Sequence, residues 1–236
     1  MRLKPLLFLS LFACASQPII NNDAPDATAP SAVEPSAPEE APATEEAPAH
    51  ASTKVSLQGD LSFISVKNGD TPVPGTIVGF EGVADVSPEV NGEMALEGVL
   101  KIPLTALSTN LDLRDQRIQE TFFDVKTTPV ALFHLKKMSH PKPGTAGMWI
   151  DGTLEIGPYK QDVRGHFRAT QGEGGVQNLE SGEAMIISIA ALGMSERLQN
   201  LITLCAHKSI GDSIEVRASG TMSFVSEGHE RPSGHQ

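Results

Sequence analysis

Disulfide cross-links, basic charge and long apolar runs are all scarce in this chain, and each scarcity excludes something. Its two cysteines, Cys14 and Cys205, lie at opposite ends of the sequence. If Cys14 is used elsewhere, Cys205 has no partner and the fold must rest on its own core. About 180 residues suffice for that. Lys and Arg number 18 against 29 Asp and Glu, for a formal net charge of −11. No basic patch or stripe is present, which excludes nucleic acid as a partner. The apolar run Leu6–Phe12 is far shorter than the roughly 20 residues that span a bilayer. The seven His are scattered without an H-E-x-x-H, and no G-x-S-x-G elbow occurs. The Gly-rich Gln171–Gly175 lacks the Lys-Ser/Thr of a phosphate loop and reads as a turn between strands. Cys205-Ala-His207 supplies two metal-ligand types but no second cluster, so a buried structural thiol is expected. No metal, cofactor or enzymatic activity is expected.

What is present first is an export signal. Arg2 and Lys4 precede the short apolar run, which ends at Leu11-Phe12-Ala13-Cys14. That tetrapeptide resembles a bacterial lipobox, so residues 1–13 are read as a lipoprotein signal peptide and Cys14 as the lipidated residue. More than one acyl chain on Cys14 would give stable membrane attachment. The expected location is the bacterial cell envelope, membrane-anchored and facing the periplasm, with the outer membrane slightly favoured. Residues 15–50 contain seven Pro, ten Ala and seven Asp or Glu, and no Lys, Arg, Phe, Trp or Tyr. Such a composition cannot bury enough apolar area to offset chain entropy, so residues 14–52 are expected to be a disordered tether. The net charge accordingly divides into +2 from the signal, −7 from the tether and −6 from residues 51–236. Residues 226–236 form a Gly- and His-containing tail expected to fray.

Residues 53–225 contain strand-length segments bounded by Gly, Pro, Asn and Asp. Eight are expected: Thr53–Phe63, Gly75–Val86, Glu93–Ile102, Pro129–Met138, Met148–Ile156, Gln161–Thr170, Glu183–Leu192 and Ser213–Phe224. Alternation places Val78, Phe80, Ala84 and Val86 on one face of the second, and Met94, Leu96, Leu100 and Ile102 on one face of the third. Val90-Asn91-Gly92-Glu93 between these two is the strongest hairpin signal. The pattern predicts an all-β antiparallel fold, either a sandwich or a closed barrel. Two interruptions are helical: Asp112–Thr121, with Asp112 and Asp115 spaced as a D-x-x-D cap, and Ser195–Ala206, with Ser195 as N-cap. Alternation does not separate a hollow barrel, which would hold one small apolar ligand, from a solid core used as a structural or interaction module.

The segment Leu111–Phe133 carries more. Ser108-Thr109, Arg114-Asp115, Ile118, Phe122-Phe123-Asp124, Pro129 and Phe133 resemble, in order and spacing, the mark of the YceI family of exported lipid-binding proteins. Gly75-Thr76-x-Val78-x-Phe80-x-Gly82, Ile150-x-Gly152-x-Leu154-x-Ile156-Gly157 and Gly211-Asp212-Ser213-Ile214-x-Val216 resemble further family strands. Thr128 stands where the family has an aromatic residue. The resemblance covers roughly residues 53–224. It implies an extended eight-stranded, lipocalin-like antiparallel barrel with one or two short helices, whose interior binds a polyisoprenoid, quinone or similar long-chain amphiphile. Carriage or sequestration is implied rather than catalysis, with a homodimer admitted. Candidate ligand-binding residues are Phe63, Val78, Phe80, Leu96, Leu100, Leu132 or Phe133, Leu154, Ile156, Phe167, Ile187, Val216 and Met222, together with Phe122 and Phe123. Arg114, at the rim, is a candidate for a phosphate or quinone oxygen, against a structural pair with Asp115 or Asp124. The carboxylates Asp112, Asp115, Glu120 and Asp124 invite an acid/base reading, but interleaved Arg114 and Arg117 make caps and ion pairs a sufficient account.

Overall fold

Residues that alternate apolar and polar over ten or more positions make strands with one dry and one wet face, and such strands must close or stack. Here they close. The computed structural model describes residues 52–88, 93–139 and 147–225. The expected signal peptide, Cys14, nearly all of the tether, the tail and the Asn91-Gly92 turn lie outside the described residues.

The strands are β1 (Thr53–Lys67), β2 (Thr71–Pro88), β3 (Glu93–Pro103), β4 (Leu107–Ser108), β5 (Val130–Ser139), β6 (Met148–Ile156), β7 (Tyr159–Gln171), β8 (Gln177–Ser181), β9 (Met185–Ser188) and β10 (Ser213–Phe224). They pair in the order β1-β10-β8-β7-β6-β5-β3-β2, and β1 pairs β2 as well, so the ring of eight is closed. Every pairing is antiparallel. The short β4 adds to the edge of β2, and β9 continues along β10 where β8 leaves off. Closure removes the exposed edges that an open sheet of this length would present.

Three expected elements are corrected. The segment Glu183–Leu192 is a strand only over β9; it then turns into a short helix, α2 (Ile189–Leu192). Ser188 caps it by accepting the Ala191 N–H, and Asp212 accepts the Ala190 N–H. These local bonds draw the backbone out of the sheet. The helix expected at Asp112–Thr121 is α1 (Asp112–Arg117) followed by a wider π-helical turn, Ile118–Phe123. It has no side-chain cap, because Asp115 is buried and occupied with Thr109 instead. Ser195 is the first residue of α3 (Ser195–Leu204) rather than its cap.

The core is divided. One cluster, around Val55, Ala84, Leu96, Met138 and Met148, fills one end of the barrel. The other gathers Ile77, Phe80, Ile102, Ala131 and Ile156 of the strands under Phe122 of the π turn, Ile189 and Leu192 of α2, Met194 between the helices, and Leu198 and Leu201 of α3 (Ser195–Leu204). Arg197 of α3 donates to the Phe122 carbonyl at 3.1 Å and lies over the Tyr159 ring. That bond ties the two helical segments across one mouth of the barrel.

Candidate functional site

Between the two clusters the barrel is hollow. A cavity of about 270 Å³ runs from a floor that includes Leu57, Leu135, Ile150 and Leu179 up to the helices across the mouth. Its wall is almost wholly apolar. Void of this kind is lined by atoms that have no partner on one side, which is why Leu61, Phe63, Val216 and Ala218 face inward yet remain half-buried. A native core of ordinary density has few voids larger than a water molecule.

Phenylalanine rings lie on glycines along this wall. Phe63 is opposite Gly75 and Phe80 opposite Gly59 in the β1–β2 register, and Phe133 lies over Gly152 of the next strand. A Cβ at Gly75 or Gly152 would meet the ring itself, and one at Gly59 would meet the β10 backbone at Ser219 and Gly220 as well as the Phe80 ring. The missing methyl lets each ring approach the neighbouring strand closely.

The π turn does the same work at the mouth. Asp124 closes it at φ 54°, its N–H donating to the Gln119 carbonyl. The adjacent Phe122 and Phe123 both reach the cavity, their rings 4.9 Å apart at 73°. Ile118, one turn earlier, joins them. Upstream, Asp115 accepts the Thr109 N–H at 2.8 Å, the Thr109 hydroxyl, and the Ser108 hydroxyl at 3.4 Å. Thr109 in turn accepts Arg114 Nε at 2.6 Å on its hydroxyl and Nη2 at 2.6 Å on its carbonyl. Arg114 is therefore held by Thr109 rather than by Asp115 or Asp124, and its side chain lines the cavity. Asp124 accepts the Thr127 hydroxyl. Asp115 and Asp124 are thus engaged in holding turns, as expected for structural carboxylates.

Of the residues expected to line the interior, Phe63, Phe80, Leu100, Phe122, Phe123, Phe133, Leu154, Ile156, Phe167, Ile187, Val216 and Arg114 do so. Four others do not. Val78 is 55% exposed on the outer face. The cause is a bulge: Gly59 pairs with Phe80 and Asp60 with Val78, leaving Gly79 as an extra residue. Gly79 sits at φ 86° and donates its N–H to Asp60 Oδ1 at 2.9 Å. Simple alternation carried across this point puts Val78 and Phe80 on one face, but the bulge reverses the phase. Leu132 points outward between Ala131 and Phe133, which line the wall. Leu96 and Met222 are inward but pack into the solid end below the cavity.

Sequence reasoning missed Lys67, Cys205 and His207, which line the cavity near its mouth. Cys205 is half-exposed rather than buried, with Arg117 Nη1 3.9 Å from its sulfur. Lys67 continues the odd-numbered inward series of β1, which was readable in principle. Cys205 and His207 reach the mouth because α3 folds back over it, which no local pattern encodes.

A family model described as a YceI-like domain matches residues 47–222. Among solved structures, a polyisoprenoid-binding domain from Saccharophagus degradans, implicated in plant cell wall breakdown, superposes with a TM-score of 0.54. It is 16% identical, and the match covers 72% of this chain and 98% of that one. Burkholderia cenocepacia BcnA superposes with a TM-score of 0.51 at 16% identity, covering 71% of this chain and 96% of that one. These likenesses establish the shared fold. No curated protein sequence matches the chain.

Proposed function

The chain belongs to the YceI-like domain family, and from that premise we propose that it is an exported lipoprotein whose barrel carries or sequesters one long-chain apolar amphiphile. The observation that carries this reading is the apolar cavity of about 270 Å³ inside the barrel. A solid barrel serving only as a structural module would have its inward side chains in mutual contact. Binding draws on burial of the ligand's chain, at about 0.8 kcal/mol per methylene, less the lost freedom of the ligand. Longer chains therefore bind more tightly until the cavity is full. A polyisoprenoid or quinone fits this description, and the structural likeness to a polyisoprenoid-binding domain of Saccharophagus degradans supports the choice. Cys14 would fix the protein to a membrane, with residues 14–52 as the tether. The barrel holds its cargo unchanged.

Mass spectrometry of the organic phase extracted from natively purified protein tests the cargo. A stoichiometric prenyl or other long-chain compound is expected. An empty protein that also fails to take up quinones, polyprenols or fatty amides would sink the proposal. Cys14→Ser should release the protein from the membrane fraction. Retention of that variant would refute the anchor and leave the cargo reading standing.

A further inference from the structure

We infer that the mouth of the cavity is a built site for an anionic head group, with Lys67, Arg114 and His207 as its donors. The inference rests on the carrier reading and deepens it. Among the described residues lining the cavity, Lys67 and Arg114 are the charged ones, and no Asp or Glu joins them. His207 lies in the same wall. The charge is thus of one sign, in a chain whose described surface is otherwise rich in carboxylates. Neither Lys67 nor Arg114 has a carboxylate within 4.0 Å among the described residues, so no ion pair there already neutralises them.

Arg114 is also oriented. Its Nε and Nη2 are fixed on Thr109, and Thr109 is fixed by the buried Asp115, so the remaining guanidinium N–H groups are presented rather than mobile. Lys67 is positioned by the backbone bridge of β1 to Ile210, and the loop that carries His207 is tied down by the Lys208 N–H on Asn68. A half-buried cation beside an apolar wall gains by pairing with an oxyanion, and a guanidinium matches carboxylate and phosphate geometry well. A ligand with its chain in the lumen would end at these groups. The chemistry they share is an oxyanion on a long apolar chain, and it could be a phosphate or a carboxylate.

The test is competition binding to the full chain with three probes on one C20 isoprenoid chain: the alcohol, the carboxylate and the monophosphate. The anionic probes should bind at least about tenfold more tightly than the alcohol, as one charge-assisted contact implies. The more favoured of the two identifies the oxyanion. Lys67→Gln with His207→Gln, two positions outside both buried clusters, should bring the three affinities to within about twofold. The melting temperature should not move. Arg114→Gln should act in the same direction. Raising ionic strength should erode the preference and leave alcohol binding unchanged. Equal affinities in the unmodified protein would overturn the inference and leave the carrier reading intact. So would a preference that survives in both variants. If not even the alcohol binds, the carrier reading fails and this one with it.

Discussion

Filling the lumen from its own wall separates a container from a core. Ala218 of β10 faces the cavity opposite Leu61 of β1 and is half-buried because empty space lies over it. Its backbone N–H is held by the Ser181 hydroxyl at 2.8 Å, so the strand is fixed beneath the side chain. Ala218→Trp would place an indole in that space. The ring would exclude roughly four methylenes of a bound chain, worth about 3 kcal/mol at 0.8 kcal/mol each, or about a hundredfold in Kd. In a close-packed core the same substitution costs 1–3 kcal/mol of stability, roughly, through overpacking. In a hollow barrel the indole gains contacts where there were none, and stability should change by less than about 1 kcal/mol. The assay pairs urea unfolding of ligand-stripped protein with binding of the C20 alcohol. A hundredfold loss of binding with an unchanged unfolding midpoint is expected. Unchanged affinity in the folded variant, or a large loss of stability, would refute the reasoning.

Three further outcomes follow from the same geometry. Gly75→Ala should push the Phe63 ring away from the strand into the lumen, weakening chain binding by about tenfold; a crystal structure with the ring unmoved and binding unchanged would contradict this. Asp115→Ala removes the acceptor for Thr109 and Ser108 and should cost about 2–4 kcal/mol, read as a lower unfolding midpoint; a neutral result would mean the Arg114 turn does not depend on it. Lys136, at 2.8 Å, and then Thr153 hold the exposed Asp162 carboxyl below its ordinary range. A value depressed by folding supplies stability above the unfolded-chain value, and that stability is lost as pH falls through the folded one. Lys136→Gln should move the Asp162 midpoint upward by NMR titration, and an unmoved midpoint would exclude Lys136 as the cause.

How much of this was legible depends on the range of the interaction. β6 and β10 have the expected bounds, Met148–Ile156 and Ser213–Phe224, because their alternation is unbroken and their ends are set by local turn chemistry. Val78 was misplaced because a bulge depends on which residue of the neighbouring strand stands opposite. Gly79 could mark one, but only pairing with Asp60 makes it one. The strand expected through Leu192 ended early because Asp212, distant in sequence, holds the turn after Ser188.

By itself the sequence determined the class of the fold, the family and a share of the inward side chains. These follow from period-two alternation and from short motifs in fixed order, which are properties of neighbouring residues. Only the tertiary structure decided that the barrel is hollow and that its mouth is cationic. Alternation specifies which side of a strand is dry; it does not specify whether opposite walls touch. That is set by ring closure, by phenylalanines lying on glycines of adjacent strands, and by two helical segments brought across one end. Lys67, Arg114 and His207 are separated by many tens of residues in the chain, and the closed ring and the returning α3 set them at one opening.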